Sequence, residues 1–219
     1  MQKRTLFTSI VAAGVCSILN GCAPLVVGGA AVATSTALID RRSTGAALND
    51  EVFEYRVAWE IKEALQDIES HITVTSYNGR ILLTGEVANE HAKEVAYKTA
   101  WTSLDVVKVI NELAVMPNAS ITQRVSDSAL STKVKTRLIA AEKTVYSQMK
   151  VTVDRGIVYL MGLLTPQENK EACEVAAATS GVKKVVSVCE ILSAQRIAEM
   201  KARAEEAERI RAKSGDTSN

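Results

Sequence analysis

The feature that most constrains this 219-residue chain is an internal repeat. The first copy contains ITVTSYNGRILLTGEV at 72–87, and the second contains MKVTVDRGIVYLMGLL at 149–164. Two glycines of each segment, together with four aliphatic positions, match at a single offset of 77 residues. Because self-similarity at a fixed spacing is typical of duplicated structural units, the repeat predicts two small domains of the same fold.

The first copy begins with a helical pattern. Val57, Ile61 and Leu65 recur at helical spacing and predict a helix over about 51–66. Asp50, just before this segment, is of a type that caps helix N-termini, and we expect it to do so here.

An extended pattern follows in the first copy. Alternating residues at 72–75 and 81–83 predict two strands. Asn78-Gly79 between them predicts a type I′ hairpin, because that turn needs positive φ at both central residues. We expect Gly85, and Gly162 in the second copy, to lie where the second strand ends or forms a bulge. A helix over about 89–101 and a strand over 106–115 complete the copy.

The second copy predicts the same order: a helix over 127–142, strands near 149–154 and 157–164, a helix over 166–179 and a strand over 182–192. This order gives a three-stranded mixed sheet, because a right-handed crossover places the last strand parallel to the second. Two helices would cover one face of each sheet. The expected fold class is therefore α+β.

The start of the chain has the pattern of a lipoprotein signal. Lys3 and Arg4 precede an uncharged run, and Leu19-Asn20-Gly21-Cys22 resembles a bacterial lipobox. In such a box the cysteine thiol receives a diacylglyceryl group and becomes the mature N-terminus. We therefore predict acylation at Cys22, which would hold the protein stably at a membrane.

Two other interpretations of this segment stay open. It is also compatible with an ordinary secretory signal and an incidental cysteine, or with an uncleaved anchor helix that runs on through the uncharged residues 23–39. All three place the protein outside the cytoplasm. Ala23 replaces the Asp that retains many lipoproteins in the inner membrane, so the outer membrane is favoured, with the protein facing the periplasm.

These patterns divide the chain into six segments. They are a signal peptide at 1–21, a lipidated Ala/Gly-rich linker at 22–46, a first domain at 47–116, a linker at 117–124, a second domain at 125–193, and a charged helical to disordered tail at 194–219.

Composition and side-chain chemistry indicate a binding protein. The chain has 26 basic and 25 acidic residues, so it lacks the positive charge of a nucleic-acid-binding protein. Its two histidines have no metal-ligand partners at suitable spacing, and no nucleophile–base set or phosphate loop is present. We expect no enzyme activity, no metal and no cofactor. Cys173 and Cys189 remain after processing, either as core thiols or as a disulfide.

The combined pattern is similar to a known family. The paired glycine hairpins, each followed by an Ala-rich helix and a strand such as Gly181-Val182-Lys183-Lys184-Val185, resemble BON domains. A lipobox followed by two such copies resembles the dual BON-domain outer-membrane lipoproteins, as do the segments 40–45 and 159–165. The resemblance implies a non-enzymatic role in envelope integrity, anionic phospholipid binding by the second domain, and links to the division site and to the outer-membrane protein assembly machinery.

Charge distinguishes the two copies. Residues 51–70 hold six acids against two bases, whereas 124–150 hold six bases against two acids. Basic residues near an anionic leaflet contribute about 1 kcal/mol each, which favours lipid contact by the second copy. The candidate contact residues are Lys133, Lys135, Arg137, Ile139, Lys143, Val145 and Tyr146.

The sequence is also compatible with alternatives to lipid contact. The basic helix could be an ordinary solvated face, could dock against the acidic helix of the first copy, or could bind an acidic partner in a protein–protein adaptor for envelope assembly. A periplasmic enzyme is a further alternative. Trp59 and Trp101 are predicted to be packing anchors of the first copy, with a partner-binding surface as the other interpretation.

Overall fold

A computed structural model describes residues 40–66 and 68–215. The predictions of a signal peptide, of acylation at Cys22 and of an anchor helix concern residues that lie outside this part of the chain. None of the helices in the described residues is both long enough and apolar enough to cross a membrane.

The described chain contains two copies of one sequence of elements and a final helix. The first copy comprises α1 (Thr44–Leu65), β1 (Ser70–Tyr77), β2 (Arg80–Val87), α2 (Glu90–Thr102), β3 (Lys108–Asn111) and β4 (Ala114–Val115). The second comprises α3 (Ile121–Ala140), a 3-10 turn (Tyr146–Gln148), β5 (Met149–Asp154), β6 (Ile157–Leu164), α4 (Pro166–Ala177), β7 (Lys184–Ser187) and β8 (Glu190–Ile191). The final helix is α5 (Ala194–Gly215).

Both first helices begin earlier than the sequence pattern predicts. Ser43 caps α1, where its Oγ accepts a bond of 3.1 Å from the Ala46 amide. Ser120 caps α3 in the same way, with 3.2 Å to the Gln123 amide. α3 therefore begins inside 117–124, the segment that the sequence assigned to a linker. Its cap, Ser120, lies several residues before the apolar stripe from which the helix was predicted.

Each copy forms the mixed sheet that the sequence predicts. β1 pairs antiparallel with β2, and β3 and β4 both run parallel to β2. The second copy repeats this arrangement with β5 to β8. The predicted last strand is thus present but interrupted, which gives two segments on the same side of the central strand.

The first hairpin turn confirms the type I′ prediction, and the second hairpin turn has the same conformation. Asn78 and Gly79 have φ of 54° and 71°, and Arg155 and Gly156 have φ of 52° and 78°. Positive φ at both central residues gives the twist that matches two antiparallel strands.

Asp50 has a different role from the predicted helix cap, and that prediction was wrong. It lies inside α1, is fully buried, and accepts bonds from the Asn78 and Gly79 amides at 2.7 and 3.0 Å and from the Ser76 hydroxyl at 2.8 Å. Burial opposes ionisation of this carboxyl, but these bonds outweigh it and hold its pKa below the ordinary value. The carboxylate thus fastens the hairpin turn to the helix.

The second copy repeats this contact at the same 77-residue offset. Asp127 accepts bonds of 2.9 Å from the amides of both Arg155 and Gly156. An aspartate that recurs at the offset of the hairpin glycines is a sequence signal for this pairing.

Gly85 does not end its strand or form a bulge there. It lies inside β2 with φ of 115°, and a Cβ at this position would be 1.9 Å from the carbonyl oxygen of His71 on β1. At Gly162 in β6 a Cβ would be 2.5 Å from the Gln148 oxygen. Glycine is therefore required at both positions, because the backbone that precedes or forms the neighbouring strand comes too close to the central strand to leave room for a Cβ.

Two cores form where the helices cover the sheets. In the first, Val57 and Ile61 of α1 pack against alternate residues of β2, such as Ile81 and Leu83. In the second, α3 and α4 pack against β5 and β6. Cys173 and Cys189 are free thiols against the second core, and burial raises the pKa of Cys189 to about 11.

A third core joins the two copies. The sheet faces that carry no helices pack together through Tyr77 and Leu82 of the first copy and Tyr159, Met161 and Leu163 of the second. The hydroxyls of Thr75 and Thr152 lie 3.1 Å apart. Because these residues are equivalent in the repeat, the contact indicates an approximate two-fold relation between the copies. The layers run helix, sheet, sheet, helix.

Polar contacts cross the same interface. The Tyr77 hydroxyl donates to the Gln148 carbonyl oxygen at 2.8 Å, and burial raises its pKa, so it stays protonated. Lys150 pairs with Glu54 at 2.8 Å. Ile197 of α5 is buried, and α5 adds Met200 to the apolar cluster. These contacts make the copies one packed unit.

We expect Asp50→Ala to lower the free energy of unfolding by about 3 kcal/mol, because it leaves buried donors without an acceptor. Urea unfolding of the chain measures this loss. The matched control is Glu63→Ala, an exposed acid of the same helix, which should change stability by less than about 0.5 kcal/mol. Equal effects of the two substitutions would contradict the assigned role of Asp50.

Candidate functional site

The candidate site is the outer face of α3, and its orientation follows from the inner face. Val134 and Leu138 are buried in the second core, and Leu130 is half-buried against it. This confirms the apolar stripe that the sequence indicates. Residues on the other side of the helix therefore face solvent.

Aliphatic side chains lie on this outer face. Ile139 is 64% exposed, as its position on the predicted helix requires. Ile121 and Val125 are 75% and 64% exposed and lie on the same side of the helix. Neither residue was among the predicted contacts, because the sequence pattern predicts a helix that begins at 127, although Ser120 followed by apolar residues at 121 and 125 is a helix start signal.

The exposed charge of α3 is entirely positive. The helix carries Arg124, Lys133, Lys135 and Arg137, and its single acid is Asp127. Asp127 is buried against the hairpin amides. The surface therefore combines aliphatic groups with cations and presents no carboxylate from this helix.

Three of these cations are held in place by neighbouring carbonyls, and Arg124 donates to the Ala119 oxygen at 3.2 Å. Lys133 Nζ donates to the Ser180 oxygen at 3.0 Å, and Arg137 donates to the Ala178 oxygen at 3.1 Å. These last two carbonyls lie at and just beyond the end of α4, where the helix dipole favours positive charge. Lys133 and Arg137 thus remain exposed with a fixed orientation, whereas Lys135 is half-buried.

The loop after α3 holds the other candidate residues. Lys143 is exposed. Val145 and Tyr146 are half-buried and pack against the second core. Lys143 therefore extends the cationic surface, while Val145 and Tyr146 support the loop from within.

An open groove of about 440 Å³ lies beside this loop. It is lined by Glu142, Lys143, Lys170, Glu171 and Glu174 among others. Because its charges are mixed and its walls are open, the groove lacks the enclosed apolar lining of a small-molecule site. No group of three metal-ligating side chains occurs among the described residues.

Arg41, in the segment before α1, binds the second copy. The Arg41 guanidinium binds both carboxylate oxygens of Glu168 at 2.7 Å and the Leu163 carbonyl oxygen at 2.7 Å. Its backbone amide donates to Gln148 at 2.8 Å. These contacts of Arg41 were not predicted, because its partners lie more than 100 residues away in the chain.

The next arginine binds the first copy. Arg42 donates to Asp50 at 2.8 Å and to Asp40, and its guanidinium lies 4.1 Å from the centre of the Tyr77 ring. We define Asp40–Ser43 as the strap. It binds α4 in the second copy and α1 in the first, so the start of the described chain is fixed against both.

Trp59 and Trp101 are not packing anchors, so that prediction was wrong. They are 63% and 51% exposed, because each lies on its helix away from the sheet. Trp101 stacks on Tyr97 with ring centres 6.4 Å apart. The interpretation that remains for Trp59 is a surface for a partner.

Comparisons with known proteins agree with the duplicated fold. The BON domain model matches residues 49–117 and 126–192. The chain is 37% identical to "Outer membrane lipoprotein DolP" of Haemophilus influenzae over 180 residues, which cover 82% of this chain and 93% of that protein. It is 35% identical to "21 kDa hemolysin" of Actinobacillus pleuropneumoniae over 151 residues, which cover 68% of this chain and 78% of that one.

Among solved structures, the C-terminal domain of CdsD, a type III secretion protein of Chlamydia trachomatis, aligns with 12% identity and a TM-score of 0.28. The alignment covers 62% of this chain and 96% of that domain, and the score is too low to bear on the fold.

The strap should be sensitive to acid. Burial opposes ionisation of Glu168, but its bonds to Arg41 and Thr165 outweigh it and hold its pKa below the ordinary value. A lowered pKa stabilises the fold above the unfolded-state pKa of about 4.3, and this gain is lost as pH falls through the folded-state value. Glu168→Gln should therefore lower Tm at pH 7, with a difference from the parent that shrinks at about pH 3. Glu171→Gln, a change at a half-exposed acid of the same helix that does not contact the strap, should show no such dependence.

Proposed function

Because the chain belongs to the BON-domain family, with two copies of the domain, we propose that it is an outer-membrane lipoprotein that supports envelope integrity and binds anionic phospholipid through the outer face of α3. Its similarity to an outer membrane lipoprotein over most of both chains supports the location and the general role. The lipobox cysteine, Cys22, supplies the anchor.

The observation that carries lipid binding is the absence of exposed acids on α3. Arg124 and Lys135 stand beside three exposed aliphatic side chains, Lys133 and Arg137 lie on the adjoining flank next to the end of α4, and the only acid of the helix is buried. Each base near an anionic leaflet contributes about 1 kcal/mol. Four bases therefore give an attachment that is weak alone and sensitive to salt, with the aliphatic groups adding shallow apolar contact.

The anchor and this face act on the same membrane. Seventeen residues separate Cys22 from Asp40, a length of chain that spans at most about 60 Å. The strap then joins α4, which lies in the same layer as α3, through Glu168. Tethering raises the effective concentration of α3 at the surface, so a weak intrinsic affinity is sufficient for attachment.

A protein–protein adaptor for outer-membrane assembly or cell division is the second candidate. The exposed tryptophans of the first copy favour it, since aromatic residues at a surface are typical of protein interfaces. Here the cationic face of α3 would serve an acidic partner.

Acylation of Cys22 can be tested directly. We expect the protein isolated from envelopes to begin at Cys22, with a mass that includes a diacylglyceryl group and an N-linked acyl chain. Mass spectrometry of the native N-terminus measures both. An unmodified first residue, or an intact residue 1, would contradict the anchor, while Cys22→Ala should leave an unprocessed precursor.

Lipid recognition is tested with a chain that begins at residue 23 and so carries no acyl group. We expect it to float with vesicles that contain phosphatidylglycerol and not with phosphatidylcholine vesicles. Lys133→Glu, Lys135→Glu and Arg137→Glu together should abolish flotation, because they reverse the charge of the face. Salt at about 1 M, where the screening length is about 3 Å, should also release the parent chain.

The matched control reverses three exposed bases of the first copy, Lys62, Lys98 and Lys108. It changes net charge equally and should leave flotation intact. Equal loss in both variants would indicate nonspecific attraction, and unaltered flotation of the α3 variant would favour the adaptor. Unchanged circular dichroism excludes unfolding as the cause.

A further inference from the structure

An apolar stripe runs along the outer face of α1. Leu48, Val52, Tyr55 and Trp59 recur at helical spacing and are 57–81% exposed. They cover about 17 Å of helix on the side opposite Val57 and Ile61. Exposed apolar side chains in such a row are unusual for a surface without a partner.

The charge beside this stripe is negative. Glu51 and Glu63 are exposed and Glu60 is half-exposed, and the described residues give none of them an ion pair. Arg56 is occupied by the Leu104 carbonyl oxygen and the Phe53 ring. Lys62 is the remaining base of α1, so the free charge around the stripe favours a cationic partner.

The chain itself contains a helix with the complementary chemistry. The outer face of α3 has exposed aliphatic groups and cations without an exposed acid. The two helices are also similar in length, with 22 residues in α1 and 20 in α3. Apolar contact and charge complementarity therefore coincide along one pair of helices.

These two faces cannot meet within one molecule. The sheets pack together at the centre, so α1 and α3 lie in opposite outer layers with both sheets between them. The intramolecular docking of the two charged helices, which the sequence left open, is therefore wrong. The occupant of the α1 face must come from outside the molecule.

We propose that the α1 stripe of one copy binds the outer face of α3 of a second copy. The contact joins two different surfaces, so it is head-to-tail and leaves a free α1 face and a free α3 face at the ends of each pair. Copies held by their anchors in one leaflet would then associate into rows. The association is weak and salt-sensitive, because much of it comes from exposed charge.

The inference goes beyond lipid binding, since the α1 stripe has no role in that function. Both activities use α3, so anionic lipid and the second copy compete for it. Trp59→Ala should weaken self-association and leave flotation with anionic vesicles unchanged. Failure of self-association and failure of lipid recognition are thereby distinguishable.

The test uses full-length acylated protein in a Gram-negative host. Two differently tagged chains are co-expressed, one with Ala58→Cys beside the stripe and the other with Thr132→Cys on the α3 outer face, both exposed positions. Oxidation of isolated envelopes reports the pair as a disulfide-linked dimer. We expect a yield severalfold above that of the 58–58 and 132–132 pairs, and above that of Ala58→Cys with Lys170→Cys on α4.

Charge exchange gives a second measurement. Glu51→Lys with Glu63→Lys in the first chain should lower the 58–132 yield, and Arg124→Glu with Lys135→Glu in the second should restore it. Trp59→Ala should lower the yield, while Trp101→Ala, an exposed aromatic outside the stripe, should not. Chains without an introduced cysteine give the background from Cys173 and Cys189.

Equal yields in all pairs would indicate random collision and overturn the proposal. A dominant 58–58 pair would overturn it as well, because it would indicate a symmetric contact between two α1 faces. Loss of the 58–132 product on charge reversal without restoration by the exchanged partner would show that α3 is not the occupant.

Discussion

The packing of the two sheets against each other is the contact on which the rest of the structure depends. Helices cover one face of each sheet, and the other face carries large side chains such as Tyr77 and Tyr159. Because side chains alternate along a strand, each central strand serves its own helical core with one set of residues and the shared core with the other. Separation of the copies would expose Leu82, Met161 and Leu163 to water.

Buried polar contacts connect this shared core to the helices. Asp50 binds the hairpin turn and Arg42, and Arg42 lies over Tyr77 at the interface. Arg41 continues the connection to Glu168 on α4. The strap is a few residues long, but it joins the start of the described chain to both copies by part-buried, charge-assisted bonds, which are stronger than exposed pairs.

The same packing determines which surfaces remain for function. With both sheets inside, the outer layers are helical, and the acidic α1 and basic α3 lie on opposite sides of the molecule. The first helix of each copy, α1 or α3, thus forms an outer face, and the two faces carry opposite charge. Their difference comes from exposed side chains, while the inner residues of the two copies share one pattern.

Sequence alone determined the repeat, the order of elements, the type I′ turn at Asn78-Gly79 and the inner stripe of α3, because these depend on local conformation and on periodicity. It also identified the contrast in charge and the exposed Ile139. It did not reveal the strap, the bonds of Asp50 or the exposure of Trp59, and it began α3 too late to include Ile121 and Val125. Only the tertiary structure decided that the copies pack by their sheets. Residues that face away from the helices of their own copy alternate along the strand in the same way whether they contact water or a second sheet. The residues that they contact in the other copy also lie far away in the chain, as for Thr75 and Thr152, which are 77 positions apart.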